Sequence, residues 1–338
     1  MLLPTLHGFR NLQATDQRDK VYGIIGIVQS PDDEPPVEVD YNKPVAQVYC
    51  DVVEGAMKDN GDLQVLSYVE HPTEYEYHGD VPSWIPLWHV STKVTRFLWP
   101  RNNIACAGRP MQVHPNISFN GECASLTLTG IYLDRVSYVS HSIEAQRPLF
   151  SKDEKLKKLI TTLAKLVKDP QDNTNAIEAS DSTEYEPSAE AIATAFTGGF
   201  TSMKSFTQES TYIDELRRDE TIRTQYMEGF WRCVRGEQTE ALPSQRFSFE
   251  DMARLMCHRR RIFRTSRGYI GLGPRCMHVG DIVAVLDGGK VPFVLRPLVD
   301  GGHEYALMGE CFVYDIMDGE VLQMVGHDGV QDKTFVLR

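Results

Sequence analysis

The stretch GYIGLGPRCMHVGDIVAVLDGGKVPFVLR, residues 268–296, decides the fold of the C-terminal part of this chain. Short apolar runs alternate in it with glycine and proline, and their period of two is typical of β-strands. Together with its flanks it contains five such runs: 261–265, 268–272, 281–286, 292–296 and 305–313. Gly288-Gly289 and Gly301-Gly302 suit the turns between neighbouring strands. The pattern predicts a small antiparallel β-barrel-like unit over residues 259–338.

Helical and strand patterns both occur outside this unit. Residues 19–28 and 45–57 place apolar side chains at helical spacing, while residues 125–133 alternate as in a strand. Pro82-Ser83-Trp84-Ile85-Pro86-Leu87-Trp88 has its prolines too close together for a regular helix and predicts an irregular loop. We therefore expect an α+β fold with four parts: a mixed α/β region with some sheet at 1–168, an acidic solvated loop at 169–190, a helical segment at 191–258 and the β-barrel-like unit at 259–338.

Charge limits the classes of partner. The chain has 338 residues and a formal net charge of −12, so most of its surface repels nucleic acid and acidic membranes. Residues 169–190 hold seven acidic side chains and no lysine or arginine, and we expect them to serve as an exposed tether or docking segment. The basic run Arg259-Arg260-Arg261, with Arg264 and Arg267, breaks this trend. We interpret it as a solvated junction between a helix and a strand, with a nuclear-import or phosphate-binding patch as the alternative.

Cysteine usage and apolar content indicate an intracellular protein without metal or cofactor. The seven cysteines are an odd number, are widely spaced and include no C-x-x-C pair, so they predict reduced, buried thiols and no metal site. No apolar run approaches the length of about 20 residues that spans a bilayer. We expect a cytoplasmic protein, with a nuclear location as an alternative.

Five residues are candidates for a functional site. Arg18 and Asp19 lie at the start of a predicted helix, where they either bind a ligand phosphate or carboxylate or tie the helix to its neighbour. Trp84 and Trp88 either form a stacking pocket for a flat apolar ligand or fill the core. His89 follows the tryptophans and is a candidate general base at neutral pH, although no nucleophile or carboxylate partner is visible for it.

Three segments together resemble the fungal heterokaryon-incompatibility (HET) protein family. The first, ATDQRDKVYGIIG at 14–26, is similar to the family's ATDPRDKVYALLGL, with Gln17 in place of the usual proline. The second comprises DYNKPVAQVY at 40–49 and PSWIPLW at 82–88. The third comprises residues 268–296 with GECFV at 309–313 and IMDGE at 316–320. The order, spacing and length of these segments agree with the family, and the match includes both ends of the chain while it is weak in the middle.

The resemblance implies a role in non-self recognition and programmed cell death. Family members begin with a HET domain that carries a Y.ALSYVWG motif, and no segment here matches it, so we expect a C-terminal region without that core. Our leading hypothesis is a non-catalytic regulatory region that binds a protein partner, such as a HET domain on the same or another chain. The alternative is a cofactor-free enzyme of fungal secondary metabolism, which cyclises or rearranges a small hydrophobic substrate in a pocket lined by tryptophan.

Overall fold

A computed structural model describes most of the chain. It covers residues 2–28, 37–79, 81–90, 97, 107–110, 112–120, 123–143, 154–165, 187–200, 219–237, 248–299, 301–327 and 329–338. Within these ranges there are seven α-helices: α1 (Leu2–Gly8), α2 (Asp19–Val28), α3 (Val45–Asn60), α4 (Glu154–Ala164), α5 (Ala189–Thr197), α6 (Glu220–Val234) and α7 (Phe249–Cys257). Two 3-10 helices cover Gln64–Tyr68 and Glu320–Gln323. Of the predicted acidic loop, residues 169–186 lie outside the described ranges.

Local sequence signals set the ends of several helices. α3 ends at Gly61, whose φ of 67° is left-handed and costs glycine little. α7 begins with a complete capping box, in which the Ser248 side chain accepts from the Asp251 backbone N–H and the Asp251 carboxylate accepts from the Ser248 backbone N–H. The bounds of α2 confirm the helix predicted over residues 19–28.

The β-structure consists of nine strands in one sheet. They are β1 (Asn116–Asn120), β2 (Cys123–Val139), β3 (Arg260–Thr265), β4 (Ile270–Pro274), β5 (Ile282–Leu286), β6 (Phe293–Pro297), β7 (Glu304–Glu310), β8 (Phe312–Val313) and β9 (Gln331–Leu337). The strand order is β5-β6-β7-β9-β2-β3-β4-β8, with β1 beside β2. The α+β class and the barrel-like C-terminal part are confirmed. Two features differ from the expected antiparallel unit, since β7 and β9 pair in parallel and β2 comes from the middle of the chain.

The long strand β2 makes the sheet ring-like. It has 17 residues and pairs with β9 along 126–132 and with β5 along 130–135. β5 also pairs with β6, β6 with β7, and β7 with β9. These four strands and β2 therefore form a closed ring. The β2 and β5 backbones approach closely at Gly130, where an added Cβ would lie 2.5 Å from the Val285 carbonyl oxygen. Glycine is therefore required at this point of closure.

The core lies on both faces of the sheet. In β5, Val283 and Val285 belong to one apolar cluster, which β2, β6 and β7 also supply. The alternate residues Ile282, Ala284 and Leu286 belong to a second cluster, which includes side chains of α1, α2, α3 and α5. Burial on both faces explains why β5 is apolar throughout. The helices and the sheet thus share the second of these clusters, and the first lies on the other face of the sheet.

Candidate functional site

Arg18 and Asp19 connect the start of α2 to the segment 40–43. Arg18 makes a bidentate contact with the Asp16 carboxylate at 2.7–3.2 Å and donates to the Lys43 carbonyl oxygen at 3.1 Å. Asp19 accepts from the Tyr41 hydroxyl at 2.7 Å. The Arg18 guanidinium holds the pKa of Asp16 below its ordinary value, chiefly by hydrogen bonding. These contacts favour the structural interpretation of the pair, since both charged groups already have protein partners.

Trp84 and Trp88 are core residues. Their exposed fractions are 0% and 1%. The guanidinium carbon of Arg10 lies 4.9 Å from the centre of the Trp88 ring, and Arg10 also pairs with Glu70 at 3.5 Å. Neither tryptophan lines the two cavities described below. The packing favours a core role for both rings over a stacking pocket.

Ser83 ties the tryptophan segment to the end of the sheet. The Ser83 backbone N–H donates to the Arg338 carbonyl oxygen at 2.8 Å, just beyond β9. The Ser83 hydroxyl oxygen accepts from the Leu307 backbone N–H of β7 at 2.8 Å. An irregular loop is therefore held in place by hydrogen bonds to residues more than 200 positions away. Sequence patterns carry no signal for such pairing.

His89 contacts Tyr49 of α3. The Tyr49 hydroxyl donates to the Gln17 carbonyl oxygen at 2.9 Å, so its oxygen accepts from Nδ1 of His89 at 3.3 Å. Burial, followed by the positive charges of Lys20 and Arg10, lowers the pKa of His89 below 6.5 and keeps the imidazole neutral at pH 7. No carboxylate that would orient it as a general base contacts it within the described ranges. Gln17 adjoins Arg18, so the structure brings His89 near the α2 cluster without forming a recognisable catalytic arrangement.

Two buried ion pairs were missed by sequence reasoning. Arg260 donates to the Glu310 carboxylate at 3.0 Å and to the Met256 carbonyl oxygen at 3.2 Å. The same Glu310 oxygen accepts from the Phe97 backbone N–H at 2.9 Å. Arg260 is only 1% exposed, which corrects the interpretation of the basic run as a solvated junction. The second pair joins Arg10 to Glu70, as described above.

His71 is a buried titratable group that the sequence did not single out as a candidate. It is 4% exposed, and burial lowers its pKa from 6.5 to about 4. Its ring stacks on Tyr75 with 3.7 Å between centres. His71 lines two cavities. The first has a volume of about 30 Å³ and is also lined by the polar residues Ser67, Arg260 and Glu310. The second has a volume of about 130 Å³, and its lining includes Tyr75, Pro82 and Ile85.

Three further properties of the described residues bear on chemistry: metal-ligand grouping, the state of the thiols and the length of the apolar helices. Within them, no three histidine, cysteine, aspartate or glutamate side chains are grouped closely enough to hold a metal ion. Burial raises the pKa of Cys50, Cys233 and Cys276 to about 12, so these thiols stay protonated at pH 7 and are poor nucleophiles. In the same part of the chain, every helix is too short or too polar to cross a membrane.

Comparisons with known proteins point to one fungal group. Residues 235–328 match the family model of the Het-6 β-barrel domain, and this range contains strands β3 to β8 in full. The chain is 24% identical over 340 aligned residues to heterokaryon incompatibility protein 6, OR allele, of Neurospora crassa, and the match covers 91% of this chain. The chain spans about half of the length of that relative, 49%. No solved structure matches.

Proposed function

We propose that this chain, which carries a Het-6 β-barrel domain and is a relative of the fungal heterokaryon-incompatibility proteins, acts in fungal non-self recognition. Its role there is that of a regulatory and interaction region. Similarity to a heterokaryon incompatibility protein along 91% of the chain supports this role most directly. In such a role the chain binds a partner and controls cell death without itself turning over a substrate.

The contacts of the candidate reactive groups support a non-catalytic role. Arg18, Asp19 and His89 are held by hydrogen bonds to other parts of the protein. Trp84 and Trp88 are buried in the core. The alternative, a cofactor-free cyclase or isomerase of secondary metabolism, requires an open apolar pocket beside these two rings. The two cavities described above are lined by other residues, so the observations favour the regulatory role.

The partner in this proposal is a protein, such as a HET domain on the same or another chain. Phe9 and Leu12, between α1 and α2, and Ile27 of α2 are large apolar side chains with exposed fractions of 41%, 58% and 70%. Exposed apolar side chains of this size suit a protein contact. The net charge of −12 disfavours nucleic acid and acidic lipid as partners. We expect the chain to act in the cytoplasm or the nucleus.

A heterokaryon assay tests the role. Two auxotrophic strains of a filamentous fungus are fused on medium that supports only the heterokaryon, and one strain expresses the chain. We expect fewer viable heterokaryons, or more dying fusion cells, against at least one incompatible background. Unchanged viability in every background at equal protein abundance would contradict the proposal. Conversion of a small hydrophobic substrate by the purified chain would contradict its non-catalytic character.

Two glycine variants provide matched controls. Gly271→Val places a side chain where even a Cβ would lie 2.2 Å from the Phe312 carbonyl oxygen, so it should disrupt the β4–β8 pairing and abolish the effect. Gly23→Ala lies on α2, where an added Cβ meets nothing within 4 Å, and should leave the effect intact. An intact effect in Gly271→Val would show that the effect does not depend on the folded sheet.

A further inference from the structure

A shift in the register of β2 places Tyr132 and Arg135 on the same face of the sheet. Side chains alternate along a strand, so positions 132 and 135 would lie on opposite faces of a regular strand. The pairing of β2 with β5 shifts between Tyr132 and Asp134. As a result, Tyr132 lies opposite Ala284. Arg135 lies opposite Ile282, on the same face of β5. Directly opposite residues share a face of the sheet, so the Tyr132 and Arg135 side chains lie together.

Lys333 of β9 belongs to the same face. It lies opposite Gly130, which is two positions before Tyr132 on β2. Its Nζ lies 5.9 Å from the centre of the Tyr132 ring and 5.3 Å from that of Tyr305. Contacts of the cation with two aromatic rings orient this side chain. The Arg135 side chain hydrogen-bonds to the Tyr132 hydroxyl oxygen, so two cations meet at this tyrosine.

Arg267 adds a third positive charge at this tyrosine. Its backbone N–H donates to the Asp134 carboxylate at 2.7 Å, and the backbone N–H of Arg135 donates to the same group at 2.8 Å. Burial, followed by the Asp134 carboxylate, raises the pKa of Tyr132 above its ordinary value of 10. The charges of Arg135 and Arg267 act in the opposite direction. The Tyr132 hydroxyl therefore lies within the field of both arginines and keeps its proton at pH 7.

Arg135, Arg267 and Lys333 form no ion pair with a carboxylate within the described ranges. Acidic side chains outnumber basic ones by 47 to 35, and five arginines elsewhere on the surface are paired with carboxylates: Arg109, Arg223, Arg232, Arg235 and Arg338. Asp134, beside the three cations, is 5% exposed and is already bound by two backbone N–H groups. One carboxylate beside three cations leaves a local excess of positive charge on an acidic protein.

A small anion suits this cluster better than a polyanion. The net charge of −12 repels a polyanion over most of the surface. A small anion responds to charges within about 8 Å in physiological salt, where the three cations are in excess. Arginine binds phosphate through its fork of N–H donors, and lysine binds it as a point charge. Arg135 is exposed, and Lys333 and Tyr132 are half-buried, so solvent reaches all three side chains.

We propose that Arg135, Lys333 and Tyr132 bind the phosphate group of a small molecule, with Arg267 adding positive charge. The guanidinium, the ammonium and the hydroxyl each donate a hydrogen bond to a phosphate oxygen. The phosphate is either free inorganic phosphate or a small phosphate monoester. This site goes beyond the regulatory function proposed above and does not depend on it.

Titration with inorganic phosphate tests the site. Phosphate is added to the purified chain at low and constant ionic strength, and binding is followed by phosphorus NMR. We expect saturation with a dissociation constant on the order of 1 mM, which corresponds to two or three charge-assisted hydrogen bonds. Added salt should weaken the binding, because it screens the charges of the cluster. Absence of saturation up to about 20 mM phosphate would overturn the proposal.

Variants of the cluster locate the binding. Lys333→Gln and Arg135→Gln should each weaken phosphate binding by about 5-fold or more, as expected for one lost charge-assisted hydrogen bond. Lys333→Arg keeps the charge and should bind within about 2-fold of the native chain. Lys158→Gln, at an exposed position of α4, changes the net charge equally and is the matched control.

The comparison of these variants distinguishes a site from an effect of net charge. Equal weakening by Lys158→Gln and by the two cluster variants would overturn the proposal. Native binding in folded Lys333→Gln and Arg135→Gln would overturn it as well. Should Lys333→Gln unfold, Arg135→Gln decides, because its side chain is exposed.

A second ligand separates the two sources of the phosphate. Glycerol 3-phosphate presents the same group on a small organic molecule. If it binds as tightly as inorganic phosphate or within about 10-fold, the site accepts phosphate monoesters; if it binds more weakly than this, the site takes free phosphate, and both results support the proposal. Single-stranded DNA that binds more tightly than phosphate, and loses this binding in Arg135→Gln, would overturn it, because the ligand would then be a polyanion.

Discussion

His71 couples the stability of the fold to pH. Its Nε2 joins the loop at Ser83 to strand β7, and the surrounding apolar groups exclude the charged form of the ring. Such a histidine is held neutral in the native state and is free to take a proton in the unfolded chain. The effect belongs to one side chain and is measurable through the stability of the whole protein.

We predict that acid weakens the fold through His71. The pKa is about 4 in the native state against 6.5 for the unperturbed group, so the unfolded state binds the proton first as the pH falls. The contribution is complete above pH 6.5 and is lost between pH 6.5 and 4, with a size on the order of 3 kcal/mol. Urea unfolding across this range should show a shallower decline for His71→Gln than for the native chain. His303→Gln, at an exposed position, should follow the native curve, and identical slopes for all three proteins would refute the assignment.

Arg260 is a buried residue within a run of three arginines. The local sequence predicts that this run is solvated, yet the Arg260 guanidinium is paired with Glu310. Its central carbon lies 3.9 Å from the centre of the Phe97 ring. Arg260 and Arg261 are successive residues of β3 and face opposite sides of the strand, so Arg260 enters the core while Arg261 stays half-buried. A strand position inside a sheet therefore overrides the polarity of the local sequence.

Strand β2 is the element that organises the sheet. It pairs with β9 in one half and with β5 and β3 in the other, with shifts in register at Tyr132/Asp134 and Val136/Tyr138. These irregularities let one strand serve two directions of pairing, as bulges do in closed sheets. Gly130 lies at the point where pairing with β9 and β5 overlaps.

We predict that Gly130→Ala opens the sheet between β2 and β5. The new Cβ would meet the Val285 carbonyl oxygen at 2.5 Å and the Leu286 Cα at 2.8 Å, both backbone atoms that cannot move aside singly. The free energy of unfolding should fall by about 1–3 kcal/mol, the usual cost of overpacking. Hydrogen exchange should accelerate at the β2 and β5 amides and change little in α3. Gly26→Ala, where an added Cβ meets nothing within 4 Å, is the control and should be neutral or slightly stabilising.

At the scale of the molecule, the N-terminal helices and the C-terminal strands depend on each other. One apolar cluster contains residues of α1, α2 and α3 together with residues of β5, β7 and β9. Ser83 adds hydrogen bonds between the tryptophan segment, Arg338 and β7. The division of the chain at residues 168, 190 and 258 stays a prediction, and the shared core indicates that the described parts unfold together.

We predict that removing residues 331–338 exposes Trp84 and Trp88. The deletion takes away β9, opens the ring of strands and removes the Arg338 carbonyl oxygen that Ser83 binds. Tryptophan fluorescence should shift to longer wavelength, and helix content measured by circular dichroism should fall with it. In the intact chain, both signals should change at the same urea concentration. Separate transitions, or native fluorescence after the deletion, would show that the N-terminal region folds on its own.

The sequence by itself determined the features that short-range physics controls. Examples are the bounds of α2 and the order of β3–β7, together with the resemblance to the HET family. Each depends on residues a few positions apart, through periodicity, capping or turn geometry.

Only the tertiary structure decided which distant residues meet. The polar start of β9, QDKT at 331–334, hid a strand that completes the ring, and the parallel pairing of β7 with β9 left no local pattern. The Arg260–Glu310 pair and the hydrogen bond from His71 to Leu307 likewise join segments 50 or more positions apart. Burial and pairing across such separations depend on the packing of the whole chain, because the free energy of a buried polar group is set by its surroundings in space and not by its neighbours in sequence.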